Sequence, residues 1–331
     1  MSKIRTYWKN FIGGDWVDGA SGEQITVSNP ATAEPIAEVA RAVPADVDTA
    51  VAAARRCFDS RVLFEMPPHE RGELMSRISE KLGELLEEIA MVECLDNGKT
   101  LAAGRGEVAL TQRYLRYYGG IADKLEGRQI PLGEGLLDYT VHAPFGVSAQ
   151  IVPWNGPLPV GARSVACALV TGNAVVLKSP EDSPLSLFLF AEACEQAGVP
   201  RGAVNIICGY GQDAGAALVA HPDIDHIVFT GSVETGKSVL RAAAERVIPC
   251  VMELGGKSAG IVYADADLEQ AAKSAAKGIF HHAGQICSAG SRLIVHRSVH
   301  DDFVARLKAE AEARRVGPGG EGCDMGPLIS A

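Results

Sequence analysis

The chain has 331 residues, 47% of them hydrophobic and 22% charged, with a formal net charge of -10 at pH 7. That balance suits a folded protein with a large core and two or more lobes, and it excludes an intrinsically disordered chain. The acidic charge argues against nucleic acid as a partner, because phosphate binding needs clustered Lys and Arg to displace counterions.

In chain order, residues 1–18 are aromatic and mixed in charge, without a basic region leading into an apolar one, so no secretory signal is expected. Apolar runs are broken by Gly, Asn or Lys well before the roughly 18 to 20 residues a bilayer span needs, so no membrane partner is expected. Short strands are predicted over 25–27 and 35–41, and helices over 46–60, 69–96 and 101–125. Within the second helix Leu74, Ile78, Leu82, Leu85, Leu86 and Ile89 recur at spacings of three and four, one apolar face packing onto something larger. Residues 127–144 contain the strand-like run Leu136 to Val141 and read as a hairpin protruding from the domain, placed to contact another subunit.

From Gly146 the pattern changes to apolar strand-like runs alternating with helices, at 147–152, 174–177, 204–208, 226–229 and 248–252. Runs apolar on both faces and separated by helical crossovers predict an α/β fold with a doubly wound parallel sheet. Such sheets bind ligands at the carboxyl ends of their strands. The predicted domain is discontinuous, 1–126 with 145–255, and is followed by an α/β unit over 256–331. The eight cysteines form no C-x-x-C pair and no Cys/His zinc spacing, which suits reduced cytoplasmic thiols and no metal site. His281 and His282 are adjacent, so on a helix predicted over 267–282 they point to different faces and do not pair as ligands.

Three residues at predicted loops carry candidate chemistry. Cys287 lies in Gly284-Gln285-Ile286-Cys287-Ser288-Ala289-Gly290-Ser291, where a thiol is approachable and nearby backbone N–H groups can favour a thiolate and hold an oxyanion. By composition alone a structural cysteine is the commoner case. Glu253 follows an apolar run and precedes Leu254-Gly255-Gly256-Lys257, so its carboxylate should emerge at a strand end, where it can activate water, cap a helix or pair with Lys257. Asn155, in Val152-Pro153-Trp154-Asn155-Gly156-Pro157, can donate to an oxyanion or cap the helix that follows. Phe229-Thr230-Gly231-Ser232 places backbone N–H groups at a helix start, as a pyrophosphate site or an ordinary Ser cap would. Gly209 to Ala214 fits G-x-G-x-x-A, but the acids that follow, Asp223 and Asp225, come too early for the usual fingerprint; Gly211 is expected in a tight turn beside an adenine.

Together these segments resemble the aldehyde dehydrogenase superfamily. Met252 to Ala259 looks like its glutamate signature and Phe280 to Ser291 like its cysteine signature; Pro153-Trp154-Asn155, Val175 to Lys178, Phe229 to Ser232 and Asp96-Asn97-Gly98-Lys99 extend the likeness over nearly the whole chain. The resemblance implies a Rossmann-like NAD domain followed by an incomplete catalytic domain. It implies that Cys287 attacks the aldehyde, that Asn155 and the Cys287 N–H hold the oxyanion, and that Glu253 activates the water that hydrolyses the thioester. Relatives that pass the acyl group to coenzyme A generally lack this glutamate. Pro153, Trp154, Lys178, Glu181, Gly211, Gly231, Ser232 and Leu254 are the implied cofactor contacts; a carboxylate at Glu181 repels a 2′-phosphate and favours NAD over NADP.

Three departures from the family pattern bear on these expectations. Lys178-Ser179-Pro180-Glu181 transposes the commoner Pro-Ser order. Gly156 stands where an aromatic residue is frequent, with Val160 and Arg163 following at helical spacing; with Ile286 and Ser288 they are the implied substrate contacts, a widened pocket carrying a cation. A bulky, oxygenated or acidic aldehyde is the expected substrate, with Arg163 in a surface or interdomain salt bridge as the plain alternative. The chain also ends short of the family's usual length, without the Glu-Glu-x-Phe-Gly-Pro segment that holds the nicotinamide ribose, so apolar faces are expected to be left uncovered. An enzyme, a homodimer or homotetramer at full length, is the first expectation. A nucleotide- or partner-binding protein without turnover is the second, and an acyl-phosphate reductase of related fold, disfavoured by Glu253, the third.

Overall fold

The structure is a computed structural model that describes residues 4–330; residues 1–3 and 331, the two ends of the expected domain ranges, lie outside it. The chain begins with β1 (Tyr7–Trp8), β2 (Asn10–Ile12), β3 (Asp15–Val17), β4 (Gln24–Ser28) and β5 (Pro35–Ala40). Helices α1 (Pro44–Asp59), α2 (Val62–Glu65), α3 (Pro68–Glu84), α4 (Leu86–Asn97) and α5 (Leu101–Ile121) follow. A two-stranded ribbon, β6 (Gln129–Ile130) and β7 (Asp138–Tyr139), precedes the main series. That series is β8 (Val147–Ile151), α6 (Pro157–Val170), β9 (Ala174–Ser179), α7 (Leu185–Gln196), β10 (Val204–Cys208), α8 (Ala216–Ala220), β11 (His226–Gly231), α9 (Val233–Ala244) and β12 (Cys250–Leu254). The chain continues as β13 (Ala259–Val262), α10 (Leu268–Phe280), β14 (Arg292–Val295) and α11 (His300–Glu312).

The expected doubly wound sheet is present, in the order β12-β11-β8-β9-β10-β2-β3, parallel from β12 to β10. Its last two strands are an antiparallel hairpin from the amino terminus, too short for an alternation to show in sequence. In the central strand β9 every residue is buried, and alternate side chains serve opposite faces. Val175 and Leu177 pack with α6 and α7, among Leu158, Val165 and Phe188. Val176 packs on the other side with Val47 and Val51 of α1. The edge strand β12 departs from the two-sided apolar pattern: Val251 and Glu253 are exposed while Cys250, Met252 and Leu254 pack against α9. A right-handed crossover is the usual way to join parallel neighbours, and α10 joins β13 to β14 in a smaller parallel pair of its own.

Several predicted elements have different bounds. The helix expected over 69–96 is two helices, because Leu85 (φ -92°, ψ 7°) leaves the helical region and redirects α4. The helix expected over 267–282 stops at Phe280. In the run Leu136 to Val141 only Asp138 and Tyr139 pair, so most of that segment is exposed loop with Leu136 and Leu137 facing solvent. Thr230, Gly231, Glu253 and Leu254 belong to strands rather than to the loops after them, since the β11–β12 ladder runs on through Gly231 and Leu254.

A buried turn binds these layers. Lys99, 2% exposed, donates to Glu93 at 2.6 Å and to Glu107 at 2.8 Å. Burial opposes its charge, but Glu107 and Glu93 outweigh that penalty and raise its pKa. Asp96 accepts from the Leu185 N–H at 3.1 Å, satisfying one of the free donors at the start of α7. Asn97 donates to the Trp154 carbonyl at 2.5 Å and to Ser183 at 2.7 Å. Gly98 has φ +77°, and a Cβ there would meet the rings of Pro30 and Pro327 near 3 Å, so only glycine fits the turn. Replacing Lys99 by Ala leaves two buried carboxylates without their cation. A loss of about 3 to 5 kcal/mol is expected, read as a lower urea midpoint with an unchanged slope.

Candidate active site

The carboxyl end of β8 delivers Pro153, Trp154 and Asn155 to the start of α6, where Gly156 is the cap residue and Pro157 the first helical residue. Asn155 therefore does not cap the helix. Its Nδ2 instead donates to the Gln285 carbonyl at 2.7 Å, two residues before Cys287. The Gln285 side chain spans the same loop: Nε2 donates to His282 O at 3.1 Å, and Oε1 accepts from Ile329 N at 3.1 Å. Cys287 is exposed within this held loop, whereas Cys94, Cys194 and Cys208 are buried and their thiols pushed up in pKa by burial.

The loop is shaped by three consecutive left-handed residues, His282 (φ 48°), Ala283 (φ 54°) and Gly284 (φ 77°). The first two are strained for residues other than glycine. His281 (ψ 126°) ends α10 and the left-handed residues follow it, so His281 and His282 do not share a helix as expected. His281 is exposed and His282 buried, its ring edge-on to Trp154 at 6.3 Å.

Glu253 leaves the last turn of the β12 ladder opposite Thr230 and is exposed. Among the described residues it has no ion-pair partner; Lys257 donates instead to the Gly256 carbonyl at 3.2 Å. The glycines after it bring the strand end against the cysteine loop: a Cβ on Gly256 would lie 3.3 Å from Cys287 O. Arg292 clamps the two segments, its N–H donating to Ser258 O at 3.2 Å and its Nε to Lys257 O at 2.9 Å. The nucleophile, base and amide candidates thus sit on three neighbouring segments.

The chain belongs to the aldehyde dehydrogenase family. The sequence model of that family matches residues 16–331. An aldehyde dehydrogenase of Aspergillus niger is 43% identical over 97% of this chain, and this chain spans 65% of that protein. A crystal structure of a putative aldehyde dehydrogenase from Burkholderia cenocepacia superposes with a TM-score of 0.96 at 45% identity, covering 98% of this chain and 68% of that one. The NAD+ complex of a Bacillus cereus aldehyde dehydrogenase superposes at 0.95 with 42% identity, covering 98% and 66%.

In this family member the implied cofactor contacts cluster at the carboxyl edge of the sheet. Lys178 Nζ meets Glu181 Oε2 at 2.6 Å, so the transposed Ser179-Pro180 order leaves the pair together. Gly211 opens a turn, Gly211–Gly215, that runs into α8, and the Lys178 stem packs beside Gly215. Ser232 caps α9, its Oγ accepting from Thr235 N at 3.1 Å. At Gly231 a Cβ would strike the Phe229 ring at 2.6 Å, and Leu254 packs against Gly236 in the first turn of α9.

Of the implied substrate contacts, Arg163 alone lines the cavity beside Glu253. Arg163 lines a cavity of about 770 Å³ between α5, α6 and the sheet, with Glu253, Gln150, Cys167, His226 and Tyr118. Gly156, Val160, Ile286 and Ser288 do not line it; Val160, half-buried on α6, packs against the core. Arg163 has no ion-pair or hydrogen-bond partner among the described residues, so the surface salt bridge is not formed. Gln285, Asn97, Gln150 and His226 were missed by sequence reasoning. The alternation Ser148-Ala149-Gln150 inside an apolar run was the available signal for a polar sheet face.

Burial, then Lys99 and His281, lower the His282 pKa to about 3 from 6.5. Its Nε2 has no protein partner. Between those values only the unfolded chain takes up the proton, so stability is lost as pH falls through that window. His282→Asn suits the left-handed backbone and removes this titration. From pH 7.5 to 5.5 the variant should gain on the order of 1 kcal/mol over the parent, measured by urea unfolding at both values.

Proposed function

We propose that the site oxidises an aldehyde to a carboxylic acid with NAD, through a thiohemiacetal and thioester on Cys287. The observation that carries this is the Asn155 amide, turned away from the helix it precedes and held against the loop of Cys287. In the reaction the Cys287 sulfur bonds the aldehyde carbon, and Asn155 Nδ2 with the Cys287 N–H donates to the oxygen as it gains charge. That requires Nδ2 to release or share the Gln285 carbonyl, a loop adjustment of the kind binding brings. Glu253, exposed at the strand end beside the loop, takes the proton of the water that hydrolyses the thioester.

The residues at the sheet edge fit a dinucleotide: a helix start at Gly231-Ser232 where the backbone can approach a pyrophosphate, and the Lys178–Glu181 pair for the adenine ribose. When bound, its nicotinamide supplies the hydride acceptor. Glu181 favours NAD over NADP by repelling a 2′-phosphate.

The unpaired, half-buried Arg163 favours an acidic or bulky oxygenated aldehyde. Eight free cysteines suit a cytoplasmic setting. The exposed ribbon, with Leu137 and Tyr139 outward, suits a homodimer or homotetramer. A second reading, a nucleotide- or partner-binding protein without turnover, is favoured by one feature: Ile261, Tyr263 and Ile294 of the β13–β14 unit and the loop after β13 are exposed.

NADH production by the purified chain with NAD, NADP and an aldehyde panel tests the first reading. Turnover that Cys287→Ala abolishes is expected; its absence from folded protein would favour the second. Arg163→Ala should lower kcat/KM for a carboxylated aldehyde about tenfold or more and spare an uncharged one. An equal effect on both substrates would remove Arg163 from recognition.

A further inference from the structure

A side-chain amide can turn about its last bond, and the end of Asn155 that faces the reacting carbon decides whether it stabilises or repels an oxyanion. Nδ2 donates, whereas Oδ1 only accepts. The neighbour that selects between them is the Gln285 carbonyl, which accepts from Asn155 Nδ2 at 2.7 Å and would repel Oδ1. Nδ2 carries two hydrogens in the amide plane, so resting one on Gln285 O gives the other a fixed direction. Among the described residues that second hydrogen and the Cys287 N–H have no acceptor.

The place of Gln285 O is itself set from several sides. The backbone N–H of Gln285 and its side-chain Nε2 both donate to His282 O, at 3.0 and 3.1 Å, and its Oε1 accepts from Ile329 N at 3.1 Å. Just beyond it, the turn from Ile286 to Ala289, closed by Ala289 N on Ile286 O at 3.0 Å, carries Cys287. Both partners of the Asn155–Gln285 contact lead back to one turn. Asn97 donates to Trp154 O, the carbonyl before Asn155, and Gly98 packs against Pro327, two residues before Ile329. A closed circuit results, from Asn97 through Trp154 and Asn155 to Gln285, and back through Ile329 and Pro327 to Gly98.

We propose that Gln285 is a positioning residue for the oxyanion. Its side chain holds its own carbonyl where that carbonyl selects the donor end of the Asn155 amide and aims the second N–H at the oxygen of the reacting carbonyl. The role rests on the aldehyde-oxidising reading above. As Cys287 sulfur bonds the carbonyl carbon, the C=O π pair moves onto oxygen, and a donor already oriented stabilises that charge without reorganising. Without the side chain only the Gln285 backbone N–H holds this peptide, its carbonyl shifts, and Asn155 presents either end.

The test compares two reactions of Cys287 that differ in the oxyanion. p-Nitrophenyl acetate acylates the sulfur through an oxyanion and expels p-nitrophenolate, whereas iodoacetamide alkylates it by displacing iodide and forms none. Gln285→Met keeps the side chain's length and loses its hydrogen bonds. In it the burst of p-nitrophenolate should slow about tenfold or more, while alkylation, followed by mass on the Cys287 peptide, stays within about twofold of the parent. Asn155→Ala should show the same split, and adding Gln285→Met to it should slow acylation little further, because Gln285 acts through the amide. Losses that multiply in the double variant, an equal loss in alkylation, or a burst at the parent's rate in Gln285→Met would each overturn the role of Gln285 alone. If Gln285→Met does not fold by circular dichroism, Gln285→Glu gives the same comparison, since it keeps the acceptor for Ile329 N and loses the donor to His282 O. A parent chain with no burst, or a burst that survives Cys287→Ala, would overturn the aldehyde-oxidising reading and this role with it.

Discussion

The Lys99 ammonium, enclosed with Glu93 and Glu107 at the start of α5, fixes the turn on which the site depends. Charges this deep are tolerated only when paired, so the turn has one arrangement, and its neighbours inherit it. Asp96 then sets the start of α7 and Asn97 sets the Trp154 carbonyl. The residue after Trp154 is Asn155. A helical layer far from the cysteine in sequence thereby determines where the oxyanion donor candidate stands. The later segment also uses this turn, since Cβ atoms on Gly319 and Gly326 would collide with the Lys99 and Gly98 carbonyls.

The cysteine loop is held from both sides, by Asn155 on the Gln285 carbonyl and by Ile329 on the Gln285 side chain. Holding it costs backbone strain at His282 and Ala283 and an unmet buried nitrogen on His282. The strain lies at the junction between helix and loop, where it keeps α10 from running on through Cys287. An exposed cysteine in a loop held at Gln285 is the outcome, with Gly256 against its backbone.

The main sheet treats its two faces differently at its edge. Around β9 both faces are covered and apolar, whereas β12 and β11 turn Glu253 and His226 toward the cavity under α6. The same alternation sends Leu254 to the α9 side. One strand thus presents its carboxylate to the cavity and its leucine to α9, a separation that period-two geometry supplies without any further device.

Sequence alone was enough for the doubly wound sheet and for the order of its strands and helices, and it singled out Cys287, Glu253 and Asn155 as candidates. Those features depend on local periodicity and on long contiguous motifs, which are written in adjacent residues. It left open whether Asn155 caps its helix and whether Glu253 pairs with Lys257, and it put Arg163 beside Val160, Ile286 and Ser288. Only the packed chain decided these, because each depends on a neighbour distant in sequence: Gln285 for Asn155, the β11 ladder for Glu253, and α5 with β8 for Arg163. The buried pairing of Lys99 and the left-handed turn at His282 have the same origin. Their energies arise from burial and from unmet hydrogen bonds, and neither exists until the segments meet.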